Sequence, residues 1–294
     1  MKKKTLPVYD IAAFQHFNND SDFYANDLRS HLKQNEQIIL LPHGHDFYMS
    51  VLFTAGSGTH EIEFYNYPIK PGSVFLLGPG KVHAWELSDD IDGYIFFHTK
   101  EFYDLNFTYE KVAGYPFFSS LGNTPLIVLK KSSFKKIESM FSEIVREYRH
   151  NELMKFKKIF SMVNILYIEL SREYLPQKMR ADQNLPYLAR VQQLEDLINE
   201  NFVNIKSPGQ YARLMYVSEK HLNRMVKVSL NKTTSDLIAE RIILEAKRML
   251  VFSKKNIAEI IAELGYTDSD YFFRFFKKKT TLTPTAFLEE FRRV

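Results

Sequence analysis

Apolar and polar positions change rhythm along this chain. Over residues 1–110, short apolar runs lie at Gln37–Leu41, Tyr48–Phe53, Val74–Leu77 and Tyr94–Phe97. Turn-forming clusters separate them at Pro42–Gly44, Gly56–Gly58, Pro71–Gly72, Gly78–Gly80 and Asp89–Gly93. Many short strands punctuated in this way predict an antiparallel barrel or jelly roll. From Ser132 the apolar residues recur at steps of three and four: Phe134, Ile137, Phe141, Ile144, Val145 and Tyr148. That period predicts an amphipathic helix. A second helix is predicted from about Lys155 to Tyr174, with apolar residues from Phe156 to Leu170. Its wide apolar stripe suits packing against the neighbouring helix and a subunit interface equally well. The polar, proline-bracketed stretch 176–186 reads as an interdomain linker.

From Tyr187 onward every pattern is helical. Ser207-Pro208, Ser218, Asp268 and Thr283-Pro284 are helix-start signals, and Arg241–Val251 predicts a long connecting helix. Ile257–Leu264 predicts a helix that stops at Gly265, which suits the left-handed backbone of a tight turn. The chain is therefore expected to be a multidomain α+β protein.

A repeat sharpens the C-terminal reading. Ala212, Leu214, Tyr216, Arg224, Lys227 and Thr233 recur 50 positions later as Ala262, Leu264, Tyr266, Arg274, Lys277 and Thr283. Self-similarity at a fixed offset means one supersecondary unit used twice. Each copy reads as a short helix, a tight turn and a helix carrying Arg and Lys, the build of a helix-turn-helix. Two in tandem suit the reading of two successive major-groove faces. In the first copy Leu222, Met225 and Val226 form the expected core face, leaving Lys220, His221, Asn223, Arg224 and Lys227 exposed. In the second, Tyr271, Phe272, Phe275 and Phe276 form the expected core face, and Ser269, Asp270, Phe273, Arg274 and Lys277 project elsewhere. Arg suits guanine, Asn suits adenine, Lys anchors phosphates, and an exposed Phe can touch thymine methyls.

Charge supports this division. Residues 1–130 carry 10 Lys/Arg against 15 Asp/Glu, and residues 187–294 carry 18 against 13. The basic excess lies with the repeat, as phosphate binding requires. The absence of Cys excludes disulfides and thiolate metal sites. Lys2, Lys3 and Lys4 are followed by no apolar run of signal-peptide type, and no segment predicts a membrane span. A cytoplasmic protein with no membrane partner is expected.

The stretch RIILEAKRMLVFSKKNIAEIIAELGYTDSDYFFRFFKKKTTLTPTAFL resembles the C-terminal signature of AraC/XylS-type transcriptional regulators. The likeness covers roughly 185–294 and rests on Arg241, Ala246, Leu250, Ile257, Ile260, Ala262, Gly265, Tyr266, Phe272, Arg274, Phe276, Lys277 and Pro284. It implies two helix-turn-helix subdomains joined by a long helix starting with Arg. It also implies that Lys220, His221, Asn223 and Arg224, then Ser269, Asp270, Phe273 and Arg274, occupy base-reading positions. The family has Gly after each reading helix, where this chain has Asn231 and Thr281. β-branched Thr tolerates the left-handed region poorly, so a turn of different shape is expected after the second helix.

The segment from Leu41 to Leu87, with His43-Gly44-His45 and Pro79-Gly80-Lys81-Val82-His83, resembles the cupin-type sensor barrel of many such regulators, a likeness that covers roughly residues 35–105. Cupin enzymes hold a metal through histidines at these positions plus a carboxylate. Three imidazoles can hold Zn²⁺ or Fe²⁺. Yet the acid positions hold Tyr48, Met49 and Ser50, and Glu61 and Glu63 lie on another predicted strand. No metal, no cofactor and no catalytic residue is therefore expected. Instead His43, His45, Tyr48, His83 and Trp85 are the expected lining of an effector pocket.

The expected organisation is a cupin-like effector-sensing domain over 1–125, a helical hairpin for dimerisation over 126–175, a linker over 176–186 and a DNA-binding domain over 187–294. The resemblance implies a regulator, with activation favoured, whose partners are double-stranded DNA, a small-molecule effector, a second copy of the chain and RNA polymerase. A metal-dependent cupin oxygenase or isomerase with a helical accessory domain is the competing reading. A DNA-architectural protein without an effector is a third.

Overall fold

The structure is a computed structural model that describes residues 6–15, 22–39, 41–106, 111–118, 124–174 and 185–293. The side chains of 185–189 and 292–293 are not described. The chain divides into two compact units, Leu6–Asp182 and Gln183–Val294. The expected linker at 176–186 falls almost entirely outside the described residues.

Among the described residues the N-terminal unit has ten strands. They are β1 Val8–Tyr9, β2 Phe23–Asp27, β3 His43–His45, β4 Tyr48–Ala55, β5 Gly58–Ile62, β6 Tyr65–Ile69, β7 Ser73–Leu77, β8 Val82–Leu87, β9 Asp92–His98 and β10 Leu126–Val128. The expected barrel does not close. Among the described residues the strands form two five-stranded sheets, ordered β1-β3-β8-β5-β6 and β10-β7-β4-β9-β2. Nor is the pairing purely antiparallel, because β1 runs parallel to β3. Closure needs hydrogen bonds between sheet edges, and no strand pairing links these edges among the described residues. The two sheets instead share an apolar core. Ile62 and Ile69 come from one sheet, and Met49, Val51, Phe53, Phe75, Ile95 and Phe97 from the other.

Helices α1 Leu28–Gln34, α2 Glu36–Ile39 and α3 Lys100–Asp104 interrupt this strand-rich region. The run Gln37–Leu41, predicted as a strand, contributes to α2 instead. A short apolar run carries no period of its own. Here Asn35 ends α1, and its carbonyl accepts from Ile38 and Ile39 N–H, which starts a new turn.

Two long helices follow, α4 Lys131–Arg149 and α5 Lys155–Tyr174. They cover the outer face of the β4-containing sheet. Ile137, Phe141, Ile144, Ile159, Val163, Leu166, Tyr167 and Leu170 form one core with Phe23, Tyr48, Leu52, Val74, Leu76 and Phe96. β4 therefore serves two cores: successive side chains leave a strand on opposite faces, so Met49 and Val51 face the other sheet while Tyr48, Ser50 and Leu52 face the helices. Buried polar groups bind this second interface. His98 Nδ1–H donates to Thr99 O at 2.8 Å, so His98 Nε2 accepts from Tyr167 Oη–H at 2.7 Å. Ser50 Oγ, 3.2 Å from Tyr167 Oη, is then the donor to it.

The C-terminal unit is helical: α6 Leu185–Asn201, α7 Pro208–Leu214, α8 Glu219–Leu230, α9 Thr234–Phe252, α10 Ile257–Glu263, α11 Ser269–Thr280 and α12 Pro284–Arg293. The long helix α9 begins seven residues before Arg241, where the sequence reading started it. Thr233 and Asp236 form a capping box that satisfies the first backbone donors. Arg241 instead lies mid-helix, over the Phe202 ring at 4.1 Å and paired with Glu245 at 2.8 Å.

Candidate DNA interface and effector cavity

The helix pairs α7–α8 and α10–α11 are built alike, and Ser218 and Asp268 cap the second helix of each. Their side chains accept from His221 N–H at 3.2 Å and Tyr271 N–H at 2.9 Å. Both helices end on a left-handed residue, Asn231 at φ 54° and Thr281 at φ 69°. The turn of different shape expected at Thr281 is therefore not found: its N–H bonds Lys277 O as Asn231 N–H bonds Lys227 O. A β-branched residue there bears a strain of about 1–2 kcal/mol.

The 50-residue offset holds from α8 and α11 onward but not before the turns. Met215 N–H bonds Tyr211 O, and Leu264 N–H bonds Ile260 O, an offset of 49. The buried positions agree: Tyr211, Ala212 and Met215 match Ile260, Ile261 and Leu264. The second turn is one residue longer. Tyr216 thus corresponds to Gly265, not to Tyr266, and both take positive φ, 56° and 76°. Tyr216 is 96% exposed.

On α8, Leu222, Met225 and Val226 are buried, while Lys220, His221, Arg224 and Lys227 are exposed. Asn223 is half-buried, and its Oδ1 accepts from Thr234 N–H at 3.1 Å. Bidentate pairing with adenine needs both side-chain atoms, so Asn223 is better placed to hold α9 against α8 than to read a base. On α11, Phe272 and Phe276 are buried, and Ser269, Asp270, Arg274 and Lys277 are exposed. Phe273 is half-buried. Tyr271, expected in the core, is 51% exposed and stacks on Phe275. Asp270 sits in the first turn, where a negative charge favours the helix dipole.

A small cavity in the N-terminal unit is lined by Phe14, His31, Ile39, His43, His45, Phe47, Met49, His83, Trp85 and Phe97. Register explains the gathering of His43, His83 and Trp85. His43 pairs with His83 across β3 and β8, and His60 pairs with Trp85 across β5 and β8. Four of the five predicted pocket residues are brought together. Tyr48 is not among them: it lies on the opposite face of β4, stacked on His98 at 5.3 Å. Its neighbour Met49 lines the cavity in its place. Strand alternation carried that signal; nothing in the sequence pointed to Phe14 or His31, which arrive from helical segments.

The imidazoles are neutral and directional. Burial pushes His31 down to about 3 and His45 to about 4, lowers His43, and drives His60 and His83 well below the usual histidine range. His45 Nδ1–H donates to Phe47 O at 2.8 Å, so Nε2 is a bare acceptor. His43 Nδ1–H likewise donates to Leu41 O at 2.9 Å. His60 Nε2 and His83 Nδ1 share one proton over 3.0 Å. His45 Nε2, His83 Nε2, His60 Nδ1 and Trp85 Nε1 are buried and make no hydrogen bond. Among the described residues no three His, Cys, Asp or Glu groups converge in a metal-holding arrangement.

Residues 211–290 match the model of a helix-turn-helix domain, and residues 34–98 match that of an AraC-like ligand binding domain. Both matched regions are of the kinds that AraC-type transcriptional regulators combine. It is 22% identical over 269 residues to the HTH-type transcriptional activator RhaR of Escherichia coli, covering 90% of this chain and 93% of RhaR. Among solved structures it is similar to ToxT from Vibrio cholerae, at 16% identity and TM-score 0.40, covering 92% of this chain and 96% of ToxT. It is also similar to the C-terminal domain of AraT, a response regulator from Geobacillus stearothermophilus, at 24% identity and TM-score 0.32, over 34% of this chain and 84% of that domain. The two matched regions fall in different compact units, one holding the histidine cavity and the other the paired helices. Among the described residues no helix is long and apolar enough to cross a membrane.

Proposed function

We propose that this chain is an effector-responsive transcription activator that reads DNA through two helix-turn-helix motifs, α7–α8 and α10–α11. The observation carrying this reading is the pair of like-built helices in a matched helix-turn-helix domain, each with an exposed face bearing Arg and Lys. Arg224 and Arg274 are the base readers, Lys220, Lys227 and Lys277 the phosphate anchors. Such contacts make affinity fall steeply with salt. The purified full-length protein is expected to select, from a random DNA pool, a motif of two short blocks about one helical turn apart. Arg224→Ala then loses about 1–3 kcal/mol at one base position while scrambled DNA binds as before. An unchanged cognate-to-scrambled ratio would remove Arg224 from the readout.

The chemistry of the cavity lining suits a small uncharged molecule bearing hydroxyl groups. A hydroxyl donates to His45 Nε2 and accepts from Trp85 Nε1–H, satisfying two buried atoms that are costly to leave unpaired. Phe47, Phe97 and the Trp85 ring offer apolar faces, and no Lys, Arg, Asp or Glu lines the cavity. Trp85 is the single tryptophan of the chain, so its fluorescence reports on this cavity alone. Neutral polyhydroxyl compounds should shift that emission saturably, and carboxylates should not. A saturable response confined to anions would refute the assignment.

Exposed Ile165 and Ile168 on α5 support homodimerisation through this helix. A cytoplasmic, non-enzymatic regulator in contact with RNA polymerase is the consistent whole. The effector acts only in so far as it binds two arrangements of the protein with different affinity.

A further inference from the structure

A half-buried lysine joins the segment just before the first candidate DNA-reading motif to the second motif. Lys206, in the segment between α6 and α7, donates to Phe202 O at 3.2 Å and Val203 O at 2.7 Å, beside the end of α6. It also donates to Leu264 O at 2.8 Å, at the end of α10. An ammonium has three protons, and each has a carbonyl here. The charge also lies 4.6 Å from the centre of the Tyr266 ring. Leu264 O belongs to a helix C-terminus, where a cation is favoured. The approach is close enough that a Cβ on Gly265 would fall 2.2 Å from Val203 O.

A second stitch lies elsewhere in the same unit. Lys279, in the last turn of α11, donates to Asp236 Oδ1 at 2.8 Å. Asp236 also completes the capping box of α9, immediately after α8. One lysine therefore ties the segment leading into the first motif to the first helix of the second, and another ties the end of the second motif to the start of α9, just after the first.

We propose that Lys206 and Lys279 are positioning residues that fix the distance and angle between α8 and α11, so that the C-terminal unit measures the spacing of two DNA blocks as well as their sequence. A joint carried by α9 alone would let the motifs adjust by bending that helix. With the stitches, one inserted base pair moves the second block by about 3.4 Å along the axis and about a tenth of a turn around it, and the pair of helices cannot follow. This inference rests on the DNA-reading function proposed above.

The test uses full-length protein and the site selected from random DNA, rebuilt with one or two base pairs added or removed between the blocks. Kd is measured for each spacing at fixed salt, with cooperative melting as a check of folding. The wild type is expected to lose about tenfold or more per step of spacing, comparable to one mismatched base pair. Lys206→Met should shrink that loss to less than about threefold, and Lys279→Met should shrink it in part; Lys254→Met, with the same charge change at an exposed loop site, should leave it intact. A general loss of affinity with an unchanged spacing penalty in both variants would overturn the clamp. If Lys206→Met does not melt cooperatively, Lys279→Met on the surface decides the question. Should the wild type select no two-block motif, the DNA-reading function itself fails, an outcome distinct from failure of the clamp.

Discussion

The N-terminal unit is expected to lose its native fold on mild acidification, near pH 5, while the C-terminal unit stays folded. Three fully buried histidines drive this: burial holds His31 at about 3, and His45 and His98 at about 4. In the unfolded chain each titrates near 6.5. The folded pKa values are depressed, so the unfolded state binds more protons below 6.5, and stability is lost as pH falls from 6.5 toward 4. At pH 5 each histidine costs roughly 1.5 pH units, about 2 kcal/mol, and the three together about 6 kcal/mol. That is a large part of the 5–15 kcal/mol typical of a domain. Carboxylates whose pKa is lowered in the fold, such as Asp27 and Glu169, act only at lower pH. The loss between 6.5 and 4.5 is therefore carried by histidine, offset in part by Asp46 and Glu61, whose pKa burial raises so that their protonation favours the fold. Trp85 emission and circular dichroism followed from pH 7.5 to 4 measure this. A flat Trp85 signal down to pH 4.5, with unchanged urea midpoint, would show that the imidazoles are not held neutral by burial.

Gly265→Ala should cost the C-terminal unit on the order of 3 kcal/mol. Two causes add. The left-handed φ of 76° costs an L-residue about 1–2 kcal/mol. The new methyl also lands 2.2 Å from the Val203 carbonyl oxygen and 3.1 Å from Lys206 Nζ, and a backbone oxygen cannot swing away as a side chain can. For a unit of this size the melting transition should fall by more than about 10 °C, with DNA binding weakened at physiological temperature. The N-terminal transition should be untouched. Tyr216→Ala, at the matching turn of the first motif, makes the useful contrast, because its side chain is already exposed and its φ already positive. A Gly265→Ala protein that melts within two degrees of wild type would mean that the turn moves freely.

The helical elements were legible because their signals are local. Phe134 to Tyr148 repeats at the helical period, and the structure gives α4 over that stretch; Lys155 and Tyr174 bound α5 as predicted. Caps at Ser218 and Asp268 were read correctly from single residues. The capping box at Thr233 and Asp236 was equally local and was overlooked, which is why α9 begins earlier than expected. Register within the repeat was less legible. The extra residue in the second turn is invisible to residue matching, since Ala212 and Ala262, Leu214 and Leu264, and Tyr216 and Tyr266 are identical pairs. Only the backbone bonds and buried positions reveal the shift to 49.

The amino-acid sequence by itself determined the division into a strand-rich acidic half and a helical basic half, the paired motifs, and the histidines of the cavity. Those properties follow from periodicity, charge and residue type, which chain neighbours carry. Tertiary structure alone decided that the strands form two sheets rather than a closed barrel, that Tyr48 faces α5 while Met49 faces the cavity, and that His31 and Phe14 join its lining. It alone decided that Lys206 lies against Leu264, 58 residues away. Sheet-edge pairing, the face on which a side chain emerges and the burial of a charge depend on partners distant in sequence, and no local pattern specifies those partners.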